Sequence, residues 1–145
     1  MPYPPVAAGD PSKLVLGVDD LPENLLFLRA NLLVARYRFV GAASGAACLE
    51  ILTRETPQLI LLDVQMPEID GFEVCRAIRR NPAFRDIPIA FLTAHNGPDD
   101  IERGLAAGGN DFITKPFNPV TLIERVAYWT GRAPQGGAPG AGSGR

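Results

Sequence analysis

The sequence predicts a single α/β domain, a three-layer sandwich built around a parallel five-stranded sheet. Three observations carry this. Short apolar runs rich in Val, Ile and Leu alternate with stretches at helical spacing, giving five strand–helix units. At 145 residues and 46% hydrophobic content, the chain can bury one ordinary core and is short for two. Finally, Asp19, Asp20, Asp63, Thr93 and Lys115 each follow closely on an apolar run, and a parallel sheet gathers such positions at its carboxyl edge.

Each element has its own signal. Residues 1–12 are rich in proline and small residues and are expected to form a flexible leader; residues 13–130 hold the domain. The first strand covers Lys13 to Val18, and Pro22 suits the first turn of the helix that follows. Leu25, Leu28, Leu32 and Leu33 are expected to face the core, with Arg29, Asn31 and Arg36 off that stripe. Arg38 to Ala42 is the second strand. Ser44 caps a second helix running to about Arg54, with Glu50 and Arg54 spaced for a surface pair. The third strand follows Pro57 and ends at Asp63. The third helix, Phe72 to Arg80, starts near Asp70 and is stopped by Asn81-Pro82. Ile87 to Thr93 forms the fourth strand, entered through a proline tolerated at a strand's start. The fourth helix, Asp99 to Ala107, is weakened by Gly104, with Gly108 and Gly109 close behind it. Asp111 to Thr114 and Pro119 to about Thr130 complete the domain, with Leu122, Ile123, Val126 and Trp129 on the buried side of the last helix. Residues 131–145, mostly Gly, Ala and Pro, are expected to be a disordered tail. Right-handed crossovers then give the flavodoxin-like strand order 2-1-3-4-5.

Composition narrows the function classes. A net charge of −2, from fourteen basic and sixteen acidic side chains, offers no broad basic surface for nucleic acid. Cys48 and Cys75 both fall in helical segments and read as buried apolar thiols, in keeping with a reducing cytoplasm. No run has the length of a membrane span or a signal-peptide core.

The chemistry lies in the strand ends. Asp19, Asp20 and Asp63 offer carboxylate oxygens of the kind a small hard cation such as Mg²⁺ prefers. Held close without a cation, such carboxylates repel one another and at least one pKa rises. Phosphoryl transfer asks of a protein a nucleophile, in-line placement and charge compensation. Asp63 can serve as the nucleophile, Lys115 as a point charge on a phosphoryl oxygen, and Thr93 as a hydrogen-bond donor to another. Singly, an Asp-Asp pair reads as a helix cap or solvated turn and Lys115 as a surface lysine. Their placement on consecutive ends of one sheet favours a shared pocket.

Four blocks together resemble the receiver domain of two-component response regulators: Val18-Asp19-Asp20, Leu62 to Pro67 with Asp70-Gly71-Phe72, Leu92-Thr93-Ala94, and Phe112 to Phe117. The resemblance covers roughly Lys13 to Thr130. It implies that Asp63 is the phosphoacceptor and that Asp20, Asp63 and the main-chain carbonyl of Gln65 bind Mg²⁺, or Mn²⁺ as a substitute, with Asp19 acting through water. It implies that Thr93 and Phe112 form the switch, that Thr93 and Lys115 bind the phosphoryl group, and that Lys115-Pro116 is a cis peptide. Gln65 and His95 match the positions that tune phosphoryl lifetime; a solvated loop is the simpler reading of His95.

The resemblance further implies a stand-alone cytoplasmic receiver that phosphorylates and dephosphorylates itself at Asp63 and does not turn over external substrates. Its expected partners are a histidine kinase or histidine phosphotransfer protein, a downstream protein and a second copy in a phosphorylation-dependent homodimer, with neither nucleic acid nor membrane. The suspected output surface comprises the fourth helix, fifth strand and fifth helix, with Ile101, Arg103, Asp111, Tyr128 and Trp129 as contacts. A phosphorylation-independent adaptor is the rival reading. An aspartate-based phosphohydrolase is another, but it calls for a second catalytic Asp where Gln65 stands.

Overall fold

The computed structural model describes residues 11–95 and 97–131. Apart from residues 11, 12 and 131, the expected leader and tail lie outside these. The elements run β1 (Leu14–Val18), α1 (Pro22–Val34), β2 (Arg38–Ala42), α2 (Gly45–Leu52), β3 (Leu59–Asp63), α3 (Gly71–Arg79), β4 (Ile89–Thr93), α4 (Pro98–Ala107), β5 (Asp111–Thr114) and α5 (Pro119–Thr130). All strand pairs are parallel and the sheet order is β2-β1-β3-β4-β5, as the sequence predicts.

The period-two alternation of the central strands builds two cores at once. Leu16, Val18, Ile60, Leu62, Ile89 and Phe91 point to one face, where they meet residues of α2, α3 and α4. Val15, Leu59, Leu61, Ala90 and Leu92 point to the other, against α1 and α5. β1, β3 and β4 are buried throughout. Each fully buried Leu or Ile contributes about 2 kcal/mol, so these strands fix the sheet and hold their carboxyl ends in register.

Helix starts follow their local chemistry. Ser44 accepts a hydrogen bond from Ala47 N–H at the start of α2. Asp70 and Glu73 form a reciprocal capping box at the start of α3, an arrangement worth about 1 kcal/mol. Asn118 caps α5 through Thr121 N–H. Cys48 and Cys75 are buried and unpaired with each other, and burial pushes their thiols up to about 12 and about 11. Among the described residues no helix is long and apolar enough to cross a membrane.

Several expectations need correction. β4 begins at Ile89, two residues late, because Ile87 N–H turns back to Phe84 O and Pro88 has no N–H for a ladder. Asn110 Oδ1 instead accepts the first strand N–H, that of Ile89. A short 3₁₀ turn, Pro82–Phe84, follows α3 where a simple stop was expected. α2 ends at Leu52, so Arg54 pairs with Glu50 from just beyond the helix, at 3.2 Å. On α1, Leu28 and Leu32 are buried and Leu25 is half-buried, but Leu33 is 47% exposed. The helix is apolar on nearly every side, so spacing alone does not select its core face. Asp111 and Trp129 are buried and bonded to each other, Trp129 Nε1–H donating to Asp111 Oδ2 at 2.9 Å, which removes both from the suspected output surface.

Two glycines test this packing. A Cβ at Gly71 would lie 2.3 Å from Asp63 O, a main-chain atom that cannot turn aside. At Gly104 it would lie 2.2 Å from Phe112 Cζ, the far end of a half-buried ring that can. Gly71→Ala is therefore expected to destabilise by about 3 kcal/mol and Gly104→Ala by about 1 kcal/mol or less, since alanine favours the helix. Urea unfolding midpoints of the two variants check the order.

Candidate functional site

The ends of β1, β3 and β5 bring four charged side chains together. Asp19 and Asp20 follow β1, Asp63 closes β3, and Lys115 follows β5. One carboxylate oxygen from each aspartate lies within 4.8 Å of the others. Lys115 Nζ donates to Asp63 Oδ1 at 2.7 Å and stands 3.6 Å from Asp19 Oδ2. Asp19 and Asp63 are buried and Asp20 is half-buried, so the cluster opens to solvent on the Asp20 side. The Lys115-Pro116 peptide bond is cis.

Asp63 carries the electrostatic tension of the cluster. Burial pushes its pKa up; the hydrogen bond and charge of Lys115 oppose this, and the charges of Asp19 and Asp20 add to the rise. A carboxylate whose folded pKa is raised destabilises the fold above that value, and the penalty fades as pH falls through it toward 3.8. A bound cation would relieve the same repulsion. Three hard oxygen donors within reach of one another fit a small divalent ion.

The remaining candidates ring the cluster. Thr93, at the end of β4, is buried, and its hydroxyl is engaged by the next turn: it donates to His95 O at 3.0 Å and accepts from His95 N–H at 2.9 Å. The hydroxyl is thus at the sheet edge but turned to its own loop. Phe112 sits farther back, its ring 5.3 Å from that of Phe91 and over Gly104 of α4. Gln65 and His95 are exposed and share the wall of a cleft of about 460 Å³ with Met66, Phe72, Asp100 and Arg103.

Two features were not anticipated. Asn24 Nδ2–H donates to Asp19 Oδ2 at 3.0 Å while Leu21 N–H donates to Asp19 Oδ1 at the same distance, so both oxygens of Asp19 are oriented from α1. The available signal was a polar residue five positions after Asp19, near the start of the helix. On the other side, Arg103 of α4 lies over the Phe72 ring at 4.7 Å and 3.9 Å from Asp70 Oδ2, tying α4 to the start of α3. No local pattern links residues so far apart in the chain.

Comparison with known proteins agrees with this geometry. Residues 15–127 match the response regulator receiver domain family. The chain is 42% identical to the response regulator PleD of Caulobacter vibrioides over 119 residues, which make up 82% of this chain and 26% of PleD. It spans between a quarter and about half of the length of the curated relatives it matches. Among solved structures it resembles the chemotaxis protein CheY4 of Vibrio cholerae, with a TM-score of 0.78 and 32% identity over 80% of this chain and 97% of that one. It also resembles the receiver domain of the sensor histidine kinase PA1611 of Pseudomonas aeruginosa, solved with magnesium in the active-site cleft; there the TM-score is 0.76 and the identity 33% over 83% and 98% of the two chains. With the doubly wound sheet and the acidic cluster at its carboxyl edge, these matches show that the chain belongs to the response regulator receiver domain family of two-component signal transduction.

Proposed function

We propose that this receiver accepts a phosphoryl group on Asp63 from the phosphohistidine of a histidine kinase or histidine phosphotransfer protein. It then either relays the group or changes a protein-binding surface. The observation that carries this reading is the buried Asp63 carboxylate, bonded to Lys115 and set beside Asp19 and Asp20. A carboxylate so placed is costly to keep charged and desolvated. It is thereby suited to being consumed in a bond to phosphorus.

The transfer forms one bond and breaks one. An Asp63 oxygen attacks phosphorus as the phosphorus–nitrogen bond of the donor breaks, and the imidazole departs with its electron pair. Asp19, Asp20 and Asp63, with the main-chain carbonyl of Gln65, would hold Mg²⁺, or Mn²⁺ as a substitute, whose bound charge would offset that of the phosphoryl oxygens. Lys115 is close enough to Asp63 to follow the new charge without leaving the site. Thr93 must give up its bond to His95 O before donating to the phosphoryl group, so phosphorylation is coupled to the loop leading into α4. Phe112, seated against Gly104 of the same helix, completes the switch. Gln65 and His95, exposed on the rim, border the approach of water. We place the protein in the cytoplasm, where the phosphodonors act. The assignment of residues 13–130 to the receiver, between a leader and a tail, is part of the same reading.

Three outcomes are expected. Incubation with acetyl phosphate and Mg²⁺ adds one phosphoryl group by intact mass, and the adduct disappears in Asp63→Asn or with a chelator; an unmodified wild type would favour a phosphorylation-independent adaptor. Saturating Mg²⁺ raises the thermal midpoint of the wild type by several degrees, corresponding to about 2 to 3 kcal/mol at one hundred times the dissociation constant, and Asp20→Asn shrinks the shift. His95→Ala shortens the half-life of the phosphorylated form about threefold or more, read by loss of the adduct with time. An unchanged half-life would return His95 to the status of a solvated loop residue.

A further inference from the structure

Asp19 is the most deeply buried of the three clustered carboxylates, 1% exposed against 4% for Asp63. A buried carboxylate keeps its charge only where hydrogen bonds replace the lost water. Asp19 takes two from neutral groups just after it in the chain: Leu21 N–H donates to Oδ1 and Asn24 Nδ2–H to Oδ2, each at 3.0 Å. The first is a main-chain bond, which any residue but proline at position 21 would supply. The second depends on the side chain at position 24 alone. Asn24 stands half-buried in the first turn of α1, on the wall of a cleft of about 370 Å³ that is otherwise mostly apolar, with Phe27, Leu28, Leu92 and Phe117 around it. Asp19 and Lys115 are the other polar groups of that wall.

Lys115 is close enough to serve Asp19 in place of the amide, but it does not. Its Nζ lies 3.6 Å from Asp19 Oδ2, beyond hydrogen-bond length, and donates to Asp63 Oδ1 at 2.7 Å. The two buried carboxylates thus have different donors, a neutral one for Asp19 and a charged one for Asp63. The difference matters to a cation. An amide orients a carboxylate oxygen without cancelling its charge. An ammonium bridging both carboxylates would supply the positive charge that a divalent ion brings, and would compete with it.

We propose that Asn24 is a positioning residue of the cation site. By occupying Asp19 Oδ2 it fixes the plane of that carboxylate and keeps Lys115 on the Asp63 side, where phosphoryl oxygens arrive. It acts through Asp19 and Lys115 and stands outside the ligand set. Without the amide, the buried Asp19 oxygen draws Lys115 toward itself, and the ammonium then bridges the two carboxylates that a cation needs. Outer hydrogen bonds of this kind change metal affinity by about 10- to 100-fold. The inference rests on the reading of Asp19, Asp20 and Asp63 as a Mg²⁺ site, and it adds a residue to that site that none of the strand ends supplies.

The test uses the full 145-residue chain and Mn²⁺ alone, with the free ion read from its electron paramagnetic resonance signal. Asn24→Leu, similar in size and apolar like the cleft around it, should weaken Mn²⁺ binding roughly tenfold or more with an unchanged circular dichroism spectrum. Asn24→Ala, which removes the amide and intrudes on nothing, should show the same loss. Asn31→Leu should leave binding unchanged, because that amide sits on the same helix but donates to Phe27 O in an exposed bond. A second measurement separates positioning from general damage. Phosphorylation of Asn24→Leu by acetyl phosphate should need roughly tenfold more Mg²⁺ for its half-maximal rate. At saturating Mg²⁺ the rate should come within about threefold of wild type, since saturation overcomes the competition from Lys115. Equal Mn²⁺ affinity in wild type and both Asn24 variants would overturn the proposal and leave the cation site standing. An equal loss in Asn31→Leu, or a rate that stays depressed at saturating Mg²⁺, would overturn it too. A wild type that binds no Mn²⁺ would remove the cation-site reading along with it.

Discussion

The ion pair between Asp63 and Lys115 is the constraint around which the rest of the carboxyl edge is arranged. Three carboxylates converge there, two of them buried, and one ammonium group stands against them. Burying even a single carboxylate is costly, and the cost is tolerated only where partners are fixed in place. The fold supplies that fixity from behind: β3 is buried along its whole length, and Gly71 brings the start of α3 against the main chain of Asp63 with no room for a side chain. Asn24 and the Leu21 amide hold Asp19 from the side of α1. The site is preorganised, but it is not at rest, because its charges do not balance.

That imbalance has a route outward. Thr93 is tied to His95, which leads into α4; Phe112 leans on Gly104 of α4; and Arg103 of α4 reaches Phe72 and Asp70. Two of these contacts are soft. A hydroxyl can rotate, and a half-buried ring can swing. The Arg103 pair is exposed and contributes little by itself. α4 is thus attached to the site by contacts that can be exchanged, while β3 and β4 beneath it cannot shift without opening the core.

Most of this was legible in the sequence because it is encoded locally. Strand runs ending in Asp63 and Thr93, caps such as Ser44 and Asp70, and the strand order all follow from patterns of a few residues. The misreadings share a cause. On α1, leucine occupies both faces, and only the packed structure shows that Leu28 is core while Leu26 is not. Trp129 and Asp111 are eighteen positions apart, and their mutual bond decides the burial of both. Asn24 is unremarkable until the helix sets it beside Asp19. Local periodicity determines which elements form; partners distant in sequence determine which side of each is buried and which polar groups are held.

The same distinction separates the two surfaces on which signalling can act. On α5, Arg125 donates to Asp111 Oδ1 at 2.7 Å and Trp129 to Asp111 Oδ2, which locks the helix to β5. With Asp111 and Trp129 committed inward, the apolar part of that face reduces to Ile101, Leu105 and Tyr128, all exposed. Two of these lie on α4, the helix held by exchangeable contacts, so a change at Thr93 and Phe112 alters that surface most directly. α1, by contrast, is fixed by Leu28 and Leu32 in the core and by Asn24 at Asp19. The exchangeable contacts are thus concentrated on α4, which lies on the opposite side of the sheet from α1 and α5.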